Sequence, residues 1–357
     1  MMIKRFIAMS PMFLVLLLVN TLSPGATERS MNYLNSKESA ETYNEILPSI
    51  PPLVSSDDST DSSLDTTSGH SKDDTGSYGY AEAKDEISYV TGGIYSNLPK
   101  GEWSIYINDL QYNIAAYAPT TAASDSTFSN GLIKLFIMGA VYENYSELEA
   151  IYGTEKLDSY LQDMMLKDDI MEIALGKLVG MLGNGDIKEG IRAVNSYCED
   201  HAYTNTSLQL IYSESFENLS GVSSAGSHTS AVDVGQFLTD VYNSAYSKNT
   251  ESIWAGPAAI PGIPHAENIV QFLDMLSHKE SKGIKAGLPE NVTVASFYES
   301  YSGMTVHNEY SAGIIFDPDN GRDLILVFMS YFSDYDKHPV FEQAISSSAR
   351  SIYNFYH

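Results

Sequence analysis

The sequence predicts an α+β fold in which strands from both ends of the folded region form one antiparallel sheet around an inserted helical subdomain. Three observations predict it. Alternating apolar and polar residues near positions 102–118 are typical of two strands. Apolar residues then recur at helical spacing over about 129–250, and the alternation returns over about 290–335 before a last helical stretch. Strands that flank helices in this order favour an α+β domain.

Length, charge and cysteine usage limit the function classes. The chain has 357 residues, of which 43% are hydrophobic, so it can build a sizeable core. Its formal net charge of −26 excludes a nucleic-acid partner, because such binding needs a basic surface. Cys198 is the only cysteine, which excludes an internal disulfide and a cysteine-based metal cluster.

Residues 1–26 have the composition of an export signal. Two basic residues precede an apolar stretch at 6–19, and small residues follow it. We predict cleavage near Ala26, a secreted or cell-surface protein, and no membrane span in the mature chain. An uncleaved N-terminal anchor is the alternative, although the stretch is short for a span and contains Pro11.

Residues 27–84 are rich in Ser and Asp, and the run "SSDDSTDSSLDTTSGHSKDD" contains almost no aliphatic side chain. Such a segment buries too little apolar surface to offset its ordering entropy. We therefore predict a disordered spacer over 27–84 and a folded domain over 85–357.

The elements of the folded domain follow from local patterns. The segment "DEISYVTGGIYSNL" has helical spacing and ends at "PKG". Two strands, "EWSIYINDL" and "QYNIAAYAPT", are joined by a predicted turn at 108–111, and a helical subdomain follows over about 129–250. The last elements are the strands "VTVASFYES", "YSAGIIFDP" and "DLILVFMSYFS" and a closing helix over about 339–356.

Six segments carry a further signal through their order and spacing: "GEWSIYINDL", "SNGLIKLFIMGAVYE", "AVNSYCEDHAYTNTSL", "TSAVDVGQFLTDVYN", "IKAGLPENVTVA" and "SAGIIFDPDNGRDLILVFMS". Together they resemble the class A β-lactamases, a family of penicillin-recognising serine hydrolases. The resemblance covers about residues 88–357 and implies a β-lactamase-like fold, with N- and C-terminal helices flanking the antiparallel sheet.

The family's nucleophile motif, S-x-x-K, matches "GLIK" here. A serine and a lysine three residues apart at a helix start lie one turn apart, so the amine can help to activate the hydroxyl. Gly131 replaces the serine, and Lys134 retains the lysine. Ser129 stands two residues earlier and is the alternative nucleophile.

The second motif and the loop glutamate are also altered. The resemblance places Asp168, Asp169 and Ile170 at the S-D-N positions, so only the middle residue agrees. The loop that carries E-x-x-L-N in the family has no such pattern in register. Glu214 and Glu217 lie nearby, but they are misplaced for positioning a hydrolytic water.

The third motif, K-T-G, lies on the strand that lines the family's site. Phe297, Tyr298 and Glu299 take its place, which removes a cation, adds bulk and adds a negative charge. We expect the two aromatic side chains to close the cleft from the strand side, as filling or as a ligand platform, and to leave a smaller, more acidic pocket without a cation for a substrate carboxylate.

Lys134 lies within the apolar run "LIKLFIM", so we expect it to be buried. A buried ammonium needs an anionic partner or loses its proton. Asp168 stands where a neighbour of this lysine stands in the family, and we predict an ion pair within about 4 Å. Asp169 is the second candidate partner.

Two functional hypotheses follow. The first is a secreted, catalytically inactive β-lactamase-like protein that acts as a cell-envelope binding or interaction module, toward cell-wall material or a protein partner. The alternative is an active serine hydrolase, a β-lactamase, peptidase or esterase, that uses Ser129 or another hydroxyl. The eight histidines are scattered without metal-ligand spacing, so we predict neither a metal nor a cofactor.

Overall fold

The computed structural model describes residues 80–119, 126–167, 171–209, 211–212, 222–223, 226–246, 262–279, 281–303, 307–317 and 322–356. The predicted signal peptide and most of the predicted spacer lie outside the described residues. The first described helix begins at Tyr80, so residues 80–84, which we had assigned to the spacer, are helical.

The described elements are numbered in chain order. The helices are α1 (Tyr80–Asn97), α2 (Ile133–Glu143), α3 (Tyr145–Tyr152), α4 (Thr154–Leu166), α5 (Met171–Leu182), α6 (Ile187–Asp200), α7 (Ala231–Tyr246), α8 (Ala266–Lys279), α9 (Gly283–Gly287) and α10 (His338–Tyr356). The strands are β1 (Glu102–Asp109), β2 (Ile114–Ala118), β3 (Thr127–Phe128), β4 (Ile211–Tyr212), β5 (Val222–Ser223), β6 (His228–Thr229), β7 (Thr293–Ser302), β8 (His307–Phe316) and β9 (Leu324–Phe332).

The main sheet is antiparallel, and its strand order is β2-β1-β9-β8-β7. Strands from the two ends of the domain meet where β1 pairs with β9, with Ile105 opposite Phe328. Strand β7 is therefore an edge strand, paired only with β8 within this sheet. The predicted α+β architecture, with a sheet assembled from both ends of the chain, is confirmed.

Each face of the sheet packs on its own hydrophobic core, because strand residues alternate between faces. On one face, Trp103 stacks on Phe341 at 4.8 Å between ring centroids, so helix α10 packs against the sheet together with α1. On the other face, Ala295, Phe297 and Tyr310 join the core of the helical subdomain. The edge strand thus has one face toward the terminal helices and one toward the subdomain.

Helix α2 forms the centre of the helical subdomain. Its residues from Ile133 to Tyr142 are all buried, as expected for a helix that is apolar nearly all round. Phe136 packs against the rings of Tyr203 and Phe237, at 5.3 and 5.1 Å between centroids. These ring contacts fix the position of α2 within the helical subdomain.

Two local predictions differ from the structure. The predicted turn at 108–111 lies at 110–113 instead, where Asn113 adopts a φ of 51° that asparagine tolerates. The helical region extends beyond residue 250 to include α8, which we did not predict. Within the described residues, no helix is long and apolar enough to cross a membrane.

Candidate functional site

The start of helix α2 is fixed by short-range pairing before it. Phe128 pairs with His228 between β3 and β6, and the Ser129 amide donates to the Ser227 carbonyl at 2.9 Å. Asn130 then adopts a φ of 42°, and a 3₁₀ turn at Asn130–Leu132 leads into α2. Gly131, the residue that our sequence analysis aligned with the serine of the S-x-x-K motif, is buried within this turn.

Glu299 fills the space that a side chain at residue 131 would need. A Cβ atom built on Gly131 would lie 1.8 Å from Glu299 Oε2 and 2.9 Å from Lys134 Cε. Glu299 reaches this place because it shares the subdomain-facing side of β7 with Phe297. The space that a side chain at residue 131 would occupy is thus filled by a carboxylate from the edge strand.

Lys134 is buried, with 6% of its surface exposed, and its ammonium lies 4.8 Å from the centroid of the Phe297 ring. A cation over an aromatic face is stabilised by about 0.5–2 kcal/mol. No carboxylate among the described residues forms an ion pair with Lys134. The predicted partners Asp168 and Asp169, together with Ile170, lie outside the described residues, so the ion pair stays a prediction.

A cleft of about 320 Å³ opens between β7 and the helical subdomain. Apolar side chains of Met165, Met171 and Leu276 line it beside Phe297. Lys134 and Lys282 line it as well. We expected no cation for a substrate carboxylate, with Lys134 paired to Asp168; that expectation is wrong in one respect, because Lys282, which precedes α9, adds a second lysine to the lining.

Tyr298 contributes to the wall of the same cleft, but its hydroxyl is directed away from Lys134. It donates to Glu309 Oε2 on the other side of the sheet, as expected for a residue adjacent to Phe297 along a strand. Lys282 Nζ lies 5.4 Å from the Tyr298 ring centroid. Phe297 therefore faces Lys134, whereas Tyr298 faces the terminal helices at the sheet edge.

Ser129, the alternative nucleophile, is fully buried. Its hydroxyl donates to the Asn130 carbonyl at 3.4 Å, and no basic side chain of the described residues is hydrogen-bonded to it. Ser129 is not among the residues that line the cleft. Glu214 and Glu217 lie outside the described residues.

Tyr310 is a site residue that our sequence analysis missed. It lies directly opposite Glu299 in the β7–β8 pairing, and its hydroxyl donates to the Phe128 carbonyl at 2.7 Å. Burial raises the pKa of Tyr310 well above its usual value, and the charge of Glu299 raises it further, so the phenol stays protonated. Tyr310 thereby ties the sheet to the start of α2, a contact that no local sequence pattern indicates.

Across the described residues, no group of three or more His, Cys, Asp or Glu side chains is arranged to hold a metal ion. What the cleft offers is two ammonium groups, one carboxylate and an apolar wall.

Together, the sheet order, the buried helix start and the cleft beside the edge strand define a class A β-lactamase-like fold, the fold of a serine hydrolase. Solved structures support it at low sequence identity. A β-lactamase from Xanthomonas campestris is 12% identical with a TM-score of 0.53, and the match covers 77% of this chain and 98% of that chain.

Two further structures agree. PBP-A is 15% identical with a TM-score of 0.52, covering 77% of this chain and 96% of that chain. An ancestral class A β-lactamase, GNCA, is 13% identical with a TM-score of 0.52, covering 75% and 99%. No protein-family model and no curated protein matches the sequence. Identities this low establish the fold alone.

Proposed function

We propose that the protein is an exported β-lactamase-like protein that is catalytically inactive at the family's site at the start of α2 and acts as a binding or interaction module at the cell envelope. The observation that carries this proposal is the Glu299 carboxylate in the space of the missing serine side chain. Acyl transfer by a serine hydrolase requires an activated hydroxyl at this helix start. Gly131 has none, and Ser129 is buried outside the cleft.

The electrostatics of the cleft also oppose acyl transfer. Catalysis of this kind depends on groups that stabilise the negative charge developing on the substrate oxygen. A carboxylate placed beside the reacting carbon would repel that charge. Glu299 therefore supports loss of catalysis in two ways, by taking the position of the nucleophile and by its sign.

The same groups are suited to binding without chemistry. A volume of about 320 Å³ is at the lower end of the range of small-ligand sites. Lys134 can pair with a ligand carboxylate, Glu299 with a ligand amine, and the Phe297 ring provides apolar contact. This arrangement fits a short peptide-like ligand with both charges, the chemistry of peptides in cell-wall material.

A penicillin test separates this proposal from the hydrolase alternative. Purified protein is incubated with a labelled penicillin and analysed by intact mass, and a chromogenic cephalosporin is assayed in parallel. We expect neither added mass nor turnover. An active class A β-lactamase is the positive control, and penicillin mapped to residues 129–134 would contradict the proposal.

Binding is tested by calorimetric titration with cell-wall peptides. Lys134→Met should weaken binding of a carboxylate-bearing peptide about 10-fold, equivalent to about 1.4 kcal/mol. Lys156→Met is the matched control, because it removes the same charge from a lysine outside the cleft that lies over the Tyr152 ring. Equal weakening by both variants would mean that the cleft is not the binding site.

A further inference from the structure

A second polar cluster lies on the face of β7 turned away from Lys134. Ser302 ends β7, Glu309 belongs to the neighbouring strand β8, and His338 is the first residue of helix α10. Ser302 Oγ lies 2.6 Å from His338 Nε2, and His338 Nδ1 is hydrogen-bonded to Glu309 Oε1. Two side chains of the β7–β8 hairpin and one from helix α10 thus form a continuous chain of hydroxyl, imidazole and carboxylate.

The carboxylate determines where the imidazole carries its proton. An ionised Glu309 only accepts hydrogen bonds, so a neutral His338 ring carries its proton on Nδ1. Nε2 then has a free lone pair, and the Ser302 hydroxyl donates to it. This is the arrangement in which an imidazole can take the proton of an attacking hydroxyl.

Glu309 is held in place by several donors. It is 1% exposed, and besides His338 it accepts hydrogen bonds from Tyr298 through Oε2 and from Ser300 at 3.0 Å through Oε1. Burial raises the pKa of Tyr298 well above its usual value, and the hydrogen bond to Glu309 adds to the rise, so the phenol remains a donor. Glu309 is thus a positioning residue that orients His338.

The hydroxyl of this cluster can be reached from solvent. Ser302 is exposed, whereas the His338 side chain is 14% exposed. Two aromatic rings flank the His338 ring. The ring of Tyr335, which is 64% exposed, lies 5.3 Å from it between centroids, and the ring of His307 on strand β8 lies 5.2 Å from it. Aromatic groups beside an exposed hydroxyl suit a flat, uncharged substrate, and a net charge of −26 disfavours an anionic one.

We propose that Ser302, His338 and Glu309 form a catalytic triad that hydrolyses small neutral carboxylic esters, with aryl esters preferred, independently of the cleft. Ser302 Oγ attacks the ester carbonyl carbon while His338 Nε2 takes its proton. The bond from that carbon to the leaving oxygen then breaks, and His338 returns the proton to the leaving alcohol or phenol. A water molecule, deprotonated by the same nitrogen, then attacks the acyl carbon. The bond from that carbon to Ser302 Oγ breaks, His338 returns the proton to Oγ, and the carboxylic acid leaves.

A fluorophosphonate probe and p-nitrophenyl acetate test this proposal on the full-length chain. We expect the probe to add its mass to Ser302, identified by peptide mapping, and the ester to be hydrolysed. Ser302→Ala should reduce both to the uncatalysed background. His338→Gln should slow hydrolysis by about 10²-fold or more, the range expected for loss of a general base.

Ser351→Ala is the matched control, because it removes an exposed hydroxyl from helix α10 that is hydrogen-bonded only to the Ser347 carbonyl. It should retain full labelling and turnover. Glu309→Gln should lower kcat without raising KM. Because a smaller folded fraction would also lower the apparent kcat, the midpoint of thermal unfolding and titration of active sites with the fluorophosphonate probe are measured for each variant. Labelling at another serine, or turnover that persists in Ser302→Ala, would overturn the proposal.

Discussion

The carboxylate of Glu299 fills the space into which a side chain at Gly131 would project. A Cβ atom on residue 131 would approach Glu299 Oε2 to 1.8 Å. The two substitutions are therefore structurally linked, since the absence of a side chain at 131 is what gives the carboxylate room. A serine cannot be restored at 131 without moving Glu299.

This linkage predicts the result of Gly131→Ser. The new side chain must displace the end of the Glu299 side chain and shift Lys134 Cε, 2.9 Å from the new Cβ. Because both are flexible chain ends, we expect a loss of about 1–2 kcal/mol in the free energy of unfolding, the lower part of the range for overpacking. Urea unfolding measures this loss of stability. The variant should still not hydrolyse a cephalosporin, because the other motif residues are also absent.

The double variant Gly131→Ser with Glu299→Gly tests the cause. Removing the carboxylate leaves room for the serine, so the double variant should be more stable than the sum of the single effects by on the order of 1 kcal/mol. If the free-energy changes of the two single variants simply add up in the double variant, the two side chains do not share a space. Glu299→Gly is measured alone because the cycle needs the change caused by each single variant.

A second prediction concerns the buried ammonium of Lys134. Methionine has a similar length and volume without the charge, so Lys134→Met keeps the packing and removes the desolvation cost. Lys134 has no ion-pair partner among the described residues, and on that basis we expect the free energy of unfolding to rise by on the order of 1 kcal/mol. A fall in urea unfolding would instead support the predicted ion pair with Asp168, because breaking a buried pair is destabilising.

Much of the fold could be predicted from the sequence because its signals are local. Strand β9 is an apolar run, β8 ends in the apolar run "AGIIF" before "DPDNG", and α10 repeats apolar residues at helical spacing. Helix α8 shows the same spacing in Ile269, Val270 and Leu273, but the segment before it contains several prolines, which are typical of loops and hide the start of the helix.

The site was less predictable because its contacts join distant segments. Spacing within "GLIK" placed Gly131 and Lys134 on the same turn, and the K-T-G register placed Phe297 beside that lysine. Which side chain would fill the space at Gly131 depends on how closely the edge strand approaches the helix start. Similarly, Ser302 and His338 lie on a strand and a helix with no motif connecting them.

A third prediction concerns pH. Burial raises the pKa of Asp240, although the Tyr203 hydroxyl and the Gln236 amide donate to its carboxylate and lower it in part. A carboxyl group whose pKa is higher in the folded protein binds more protons when folded. Its contribution to stability is fully present below the unfolded pKa of about 3.9 and is lost as the pH rises through the folded pKa.

We therefore expect the free energy of unfolding to increase as the pH is lowered from about 7 toward about 4, and Asp240→Asn to make that increase smaller. Urea unfolding at a series of pH values measures the slope. Asp336→Asn removes one charge from the exposed turn before α10 and corrects for the change in net charge. An unchanged slope in Asp240→Asn would contradict the prediction.

The last prediction concerns the contact that seats helix α7 on the sheet. A Cβ atom on Gly235 would lie 2.2 Å from Tyr106 Cδ1 and 2.3 Å from Cε1, so the ring of this β1 residue packs directly on the helix backbone. The ring is buried and cannot swing aside as a chain end can. Gly235→Ala should therefore lower the free energy of unfolding by about 2–3 kcal/mol, the upper part of the overpacking range.

Gly92→Ala makes the same change in α1 at an exposed position with no atom within 4 Å, and it should raise stability by about 0.5–1 kcal/mol. Opposite signs in urea unfolding would establish the close approach, whereas a neutral Gly235→Ala would mean that α7 is not held against Tyr106.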